Sequence, residues 1–100
     1  MPGNRQDTIR RPIDNWTQSI TYSATSATLP NAFPDMTCAV AIYCTTAAIV
    51  NLSRGGIPAS ATNGVPVAAT TVTFLEAQPG DKLTAIRVSA DGIVYATPCV

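Results

Sequence analysis

The residues that could carry chemistry are few, and the commonest catalytic set is missing. The chain has no histidine. That removes the Ser-His-Asp and Cys-His constellations, which need an imidazole to take the nucleophile's proton. Asp35, Glu76, Asp81 and Asp91 could supply a carboxylate pair for glycoside hydrolysis. Three of the four sit in turn contexts, where an aspartate serves the backbone. Cys38, Cys44 and Cys99 form no Cys-x-x-Cys unit, so the usual zinc spacing is absent. Arg54-Gly55-Gly56 lacks the following Lys-Ser/Thr and the helix that would make it a phosphate cradle. Trp16, Tyr22, Tyr43 and Tyr95 could stack on a sugar, but single aromatics in strands more often serve a core or an interface. These residues specify no reaction, no cofactor and no metal site, and the expectation is a protein that is not an enzyme.

The three cysteines are best read as reduced, small buried hydrophobes. Cys38 and Cys44 are six residues apart in an expected strand, roughly 20 Å at about 3.3 Å per residue, which is too far for a disulfide. Cys99 could pair with either one or stay free. The N-terminus MPGNRQD has no apolar segment, so no secretory signal is expected and reduced thiols fit better.

Composition narrows the class. One hundred residues suit one domain with a modest core. Hydrophobic residues make up 46%, yet there are only one Trp, two Phe and three Tyr. Charged residues make up 12%, about half the usual share, and the net charge is zero. A neutral, weakly charged surface gives a soluble monomer little colloidal protection and favours burial in an assembly. Neutrality also argues against a nucleic-acid partner. No apolar run approaches the roughly 20 residues of a membrane helix, so no membrane partner is expected.

The elements follow from period-two alternation. The strongest block is residues 70–97. Three runs, 70–76, 82–90 and 92–97, are separated by Gln78-Pro79-Gly80-Asp81 and Asp91-Gly92. The second pair suggests a type I′ hairpin with Gly92 at φ > 0. The three runs are expected to pair antiparallel as a meander. Residues 18–24 form an edge-strand candidate, 27–35 a connection with two prolines, and 37–45 a strand apolar on both faces. Residues 48–52 are expected to continue the sheet, with a helix over 38–52 as the competing reading. Residues 53–65 hold Gly55-Gly56, Pro58 and Asn63-Gly64 and read as loop and turns. The expected architecture is all-β: a small antiparallel β-sandwich or barrel of six to seven short strands with an extended N-terminal arm. The expected core is Val40, Ile42, Ile49, Val72, Phe74, Leu83, Ile86, Val88 and Val94, with Tyr95 as a further candidate.

The domain division is an arm over 1–17 and a β-domain over 18–100. The arm is too polar and too proline-broken to form an element of its own. Ile9, Arg10, Arg11, Ile13 and Trp16 nevertheless give it apolar and cationic anchors for an interface. It is expected to leave its own domain and to order against other chains, with Trp16 nearest the domain.

The order of features from Leu29 onward resembles small virion proteins of tailed bacteriophages and gene transfer agents, in particular head spike-base proteins. The residues that carry the resemblance are Leu29-Pro30, the strand AVAIY ending at Tyr43, and Thr71-Val72-Thr73-Phe74. They continue through Pro79-Gly80-Asp81-Lys82-Leu83, Ile86-Arg87-Val88 and Ala90-Asp91-Gly92-Ile93-Val94-Tyr95. About two-thirds of the chain is covered. The longer region 53–65 and the charged arm depart from the pattern. The resemblance implies a non-enzymatic virion structural protein that oligomerises, decorates the capsid or forms a spike or fibre base, and contacts the major capsid protein or other virion proteins. It would be assembled in the host bacterial cytoplasm. The alternative is a carbohydrate- or receptor-binding β-module of a phage adhesin or tail fibre.

Overall fold

A computed structural model describes residues 11–100. Within them the chain forms eight strands and no helix. They are β1 (Gln18–Tyr22), β2 (Ala27–Thr28), β3 (Ala39–Cys44), β4 (Ala48–Ser53), β5 (Val65–Val67), β6 (Val72–Glu76), β7 (Lys82–Arg87) and β8 (Gly92–Cys99). Two four-stranded sheets face each other: sheet A in the order β1-β8-β3-β6 and sheet B in the order β2-β7-β4-β5. Every pairing is antiparallel. The expected all-β sandwich is therefore the fold, with eight strands rather than six or seven.

The expected meander does not form. β6 pairs with β3, β7 with β2 and β4, and β8 with β1 and β3. β7 and β8 each have both edges occupied, so neither can take the other as a neighbour. Of the seven connections, only β4–β5 stays within one sheet; the other six cross between sheets. Likewise, 48–52 does not continue the sheet of 39–44, because β4 lies in sheet B. The turn expected at residues 78–81 is real. The Asp81 N–H donates to the Gln78 carbonyl at 3.1 Å, the Gln78 N–H donates to Asp81 Oδ2 at 3.0 Å, and Gly80 has φ 91°. It carries the chain across the sandwich, from β6 to β7.

Asp91-Gly92 is not a hairpin turn, and Gly92 does not have positive φ. It lies in β8 opposite Tyr22. A Cβ there would sit 2.7 Å from Thr45 Oγ1 and 2.7 Å from Tyr22 Oη, so the glycine is required by close approach. Asp91 instead closes the crossing from β7 by an ion pair with Arg87 Nη1 at 2.7 Å.

The core lies between the sheets. Tyr22, Leu29, Val40, Ile42, Val50, Leu83 and Val94 are fully buried, with Phe33, Ala48, Val67, Ala85 and Ala96 beside them. Small residues on facing strands leave room for the few large ones, as a well-packed interior requires. Six members of the expected core do not belong to it, and of these Val72, Phe74, Val88 and Tyr95 are exposed. Ile49 and Ile86 are half-buried on the outer face of sheet B.

Polar pins hold the connections. Gln18 and Asn31 bond reciprocally at 3.0 Å each, fixing the segment after β2 against β1. Tyr22 Oη donates to the Thr46 carbonyl at 2.6 Å and accepts from the Thr46 N–H at 3.2 Å. The β3–β4 crossing is thus tied to β1. Ile93 N–H donates to Thr45 Oγ1 at 2.9 Å, which ties the same corner to β8.

Candidate functional site

The two sheets treat their outer faces differently, and that difference defines the site. In sheet B, residues 54–64 fold back over the strands. Thr84 Oγ1 donates to the Ile57 carbonyl at 2.9 Å, and Asn51 Nδ2 donates to the same oxygen at 3.1 Å. Ser53 Oγ accepts from the Ile57 N–H at 2.7 Å, and Ser26 Oγ accepts from the Ala59 N–H at 3.2 Å. Thr84 is buried although it points away from the core, and Ala59 is buried above the sheet. Gly56 and Gly64, with φ 68° and 146°, make the bends this return path needs.

Sheet A has no such cover among the described residues. Its registers place Tyr43 between Tyr95 and Val72, and Ala41 between Thr97 and Phe74. The alternate residues Val40, Ile42, Val94 and Ala96 face the core. Tyr95, Val72 and Phe74 therefore share one outer face, with Tyr43 between Tyr95 and Val72, and are exposed by 41%, 54% and 53%. The Tyr43 and Tyr95 rings meet at 6.2 Å between centroids, tilted by 55°. Hydroxyls border the aromatic strip: Ser19 lies opposite Tyr95, and the Thr17 and Thr97 Oγ1 atoms share a hydrogen bond at 2.8 Å. The only formal charge on these rows is Glu76, at one end of β6. Exposed apolar residues scattered singly are ordinary; here they adjoin one another across neighbouring strands.

The arm residues expected to form the interface divide. Ile9 and Arg10, with Arg5, lie outside the described residues. Arg11 is exposed, but its carbonyl accepts from the Val100 N–H at 2.9 Å. Pro12 bridges Cys99, and the Ile13 N–H donates to the Pro98 carbonyl at 2.9 Å. Arg11, Pro12 and Ile13 thus lie along β8 of their own domain, so this part of the arm does not leave it. The prolines and charges that rule out an independent element do not prevent pairing with a strand end. Asn15, at φ 62°, makes the bend into β1; asparagine tolerates that region. Trp16 is half-buried next to β1.

The exposed strip contains residues that were assigned to the core on alternation alone. The signal that corrects them is Glu76. Period two puts it on the same face as Val72 and Phe74, and an unpaired carboxylate does not face a core this small.

Among the described residues no three His, Cys, Asp or Glu side chains gather as a metal site. No disulfide links the cysteines. Cys38 lies just before β3 and is exposed, against the expectation that it shares the buried face of Cys44. Cys99 is buried and its thiol donates to the Thr97 carbonyl at 3.6 Å. Burial pushes the Cys44 thiol up from its ordinary value, partly opposed by a hydrogen bond with Tyr22. Comparison with protein-family models, curated proteins and solved structures finds no match for the chain.

Proposed function

We propose that this protein is a non-enzymatic assembly module that associates through the outer face of sheet A. The observation that carries the reading is the uncharged strip of Tyr95, Val72 and Phe74, which no described segment covers while the chain itself covers the opposite face. Burying such side chains stabilises a contact by about 25 cal/mol per Å² of apolar area. Zero net charge removes the general repulsion between copies. A small, weakly charged β-sandwich with an N-terminal segment of mixed polarity suits the role implied by the resemblance to phage virion proteins. In that role copies pack side by side on a capsid or under a spike, in contact with the major capsid protein.

The test is to purify particles from lysates in which the chain is produced and to measure its copy number per particle by quantitative mass spectrometry. A fixed stoichiometric number is expected. A chain absent from particles and monomeric at high concentration defeats the reading.

The tilted Tyr43–Tyr95 pair, bordered by the hydroxyls of Ser19, Thr17 and Thr97, favours one other use of the same face: holding a neutral glycan. A glycan array probed with the assembled protein separates the two, and no signal removes this second reading.

A further inference from the structure

The four sheet edges are not alike. β2 has two residues and β5 has three, with Pro66 at its centre. Short strands and edge prolines are the usual ways of making an edge a poor template for pairing. The third edge, β1, is five residues long like β6, but the side chains it sets on the outer face are Ser19 and Thr21, opposite Tyr95 and Ile93. β6 combines full length with apolar outer residues, Val72 and Phe74. It runs Val72–Glu76 as VTFLE, with no proline, no lysine and no glycine. β3 occupies one side of it, and among the described residues no strand pairs with the other.

We infer that β6 pairs antiparallel with β6 of a second copy, with Phe74 on the two-fold axis. This rests on the assembly reading and specifies how two copies meet. The register is chosen by the side chains. Centred on Phe74, it sets Phe74 against Phe74, Thr73 against Leu75, and Val72 against Glu76. Aromatic cross-strand pairs are favourable and like charges opposite each other are not. This register makes the first and avoids the second, keeping the two Glu76 carboxylates four positions apart along the ladder, about 13 Å at the usual strand rise. A two-fold contact must be self-complementary, and a neutral strand with one terminal charge meets that condition. The pairing satisfies the backbone groups on the side of β6 that no described strand pairs. It also joins the two uncovered faces into one eight-stranded surface, so that the Tyr95–Val72–Phe74 strips run on from copy to copy.

The experiment uses the full chain with Cys38→Ser, which removes the exposed thiol. Residues opposite each other in an antiparallel pair have Cα atoms about 4.5–5.5 Å apart, within disulfide range. Phe74→Cys should form a covalent dimer under mild oxidation at least about tenfold faster than Val72→Cys, whose twin lies about 13 Å away. A mixture of Val72→Cys and Glu76→Cys should give the mixed dimer. In a sedimentation experiment Phe74→Lys should raise the dimer dissociation constant more than about tenfold, with an unchanged circular dichroism spectrum. An oligomer in which Phe74→Cys cross-links no faster than Val72→Cys overturns the β6 pairing and leaves the assembly reading standing. A wild-type chain that stays monomeric at every concentration overturns the β6 pairing, and the assembly reading falls with it only if the chain is also absent from particles. A monomer that dimerises only after deletion of residues 1–10 assigns the β6 edge to the chain's own N-terminal segment, and also overturns the pairing.

Discussion

The outer face of sheet B carries Thr84 at 0% exposure, because residues 54–64 return over it and two side chains hold the Ile57 carbonyl. The outer face of sheet A carries Phe74 at 53% exposure, with no covering segment among the described residues. The edges follow the same division. Those of sheet B are two and three residues long, whereas β1 and β6 in sheet A each run five residues, with no described strand on their outer sides. Among the described residues, one face of the sandwich is covered by its own chain and the other is not. The lesson is that an amphipathic strand does not say which of its apolar residues face the core. Ile49 and Ile86 are sheltered on an outer face, while Val72 and Phe74 are not.

The largest expected effect lies between the sheets, where the two share one core. Leu83→Ala removes a fully buried side chain of β7 and should cost about 2–5 kcal/mol in denaturant unfolding. For a small domain that is a large part of its stability. Phe74→Ala should cost less than about 1 kcal/mol. If the two substitutions cost the same, the contrast between core and open face is wrong.

Next comes the corner that pins sheet A to the crossings. Gly92→Ala would push a methyl group into the hydroxyls of Thr45 and Tyr22 and should destabilise by about 1–3 kcal/mol. A neutral result by thermal unfolding would show that Gly92 is not required by close approach. The hairpin expected from Asp91-Gly92 made the same glycine necessary for a different reason, positive φ, which it does not have.

The cover on sheet B can be loosened without touching the core. Thr84→Val removes one of the two donors to the Ile57 carbonyl and should cost about 1 kcal/mol. Amide exchange over residues 54–64 should accelerate, and exchange in β3 and β6 should not change. Exchange rising equally in both sheets would erase the distinction.

The smallest effect concerns the thiols. Cys38 should alkylate within minutes in the native protein, while Cys44 should react only on unfolding. Because burial raises the Cys44 thiol in the folded state, its contribution to stability is complete below the unfolded thiol value, about 8.5. That contribution declines as pH rises through the folded value. Cys44→Ala should flatten this alkaline decline, and an unchanged slope would show that Cys44 does not contribute to it.

The sequence by itself determined the class of the fold and most of its strands. Alternation in 18–22, 39–44, 72–76 and 82–87, with Pro and Gly turns between, is a local property that survives in the structure. β2 and β5 were not legible, since two or three residues carry no period. Partnering was not legible either. A strand's own residues define its two faces but not which strand lies beside it, and six of the seven connections cross the sandwich. The candidate site was half legible: its tyrosines, Val72 and Phe74 stand out by type, and Glu76 marks their face. That the strip is open was decided only by tertiary structure, because it depends on residues 54–64 covering sheet B and on no described segment covering sheet A. The attachment of Arg11 to Ile13 along β8 was decided in the same way, by backbone groups at a strand end that leave no trace in the side chains.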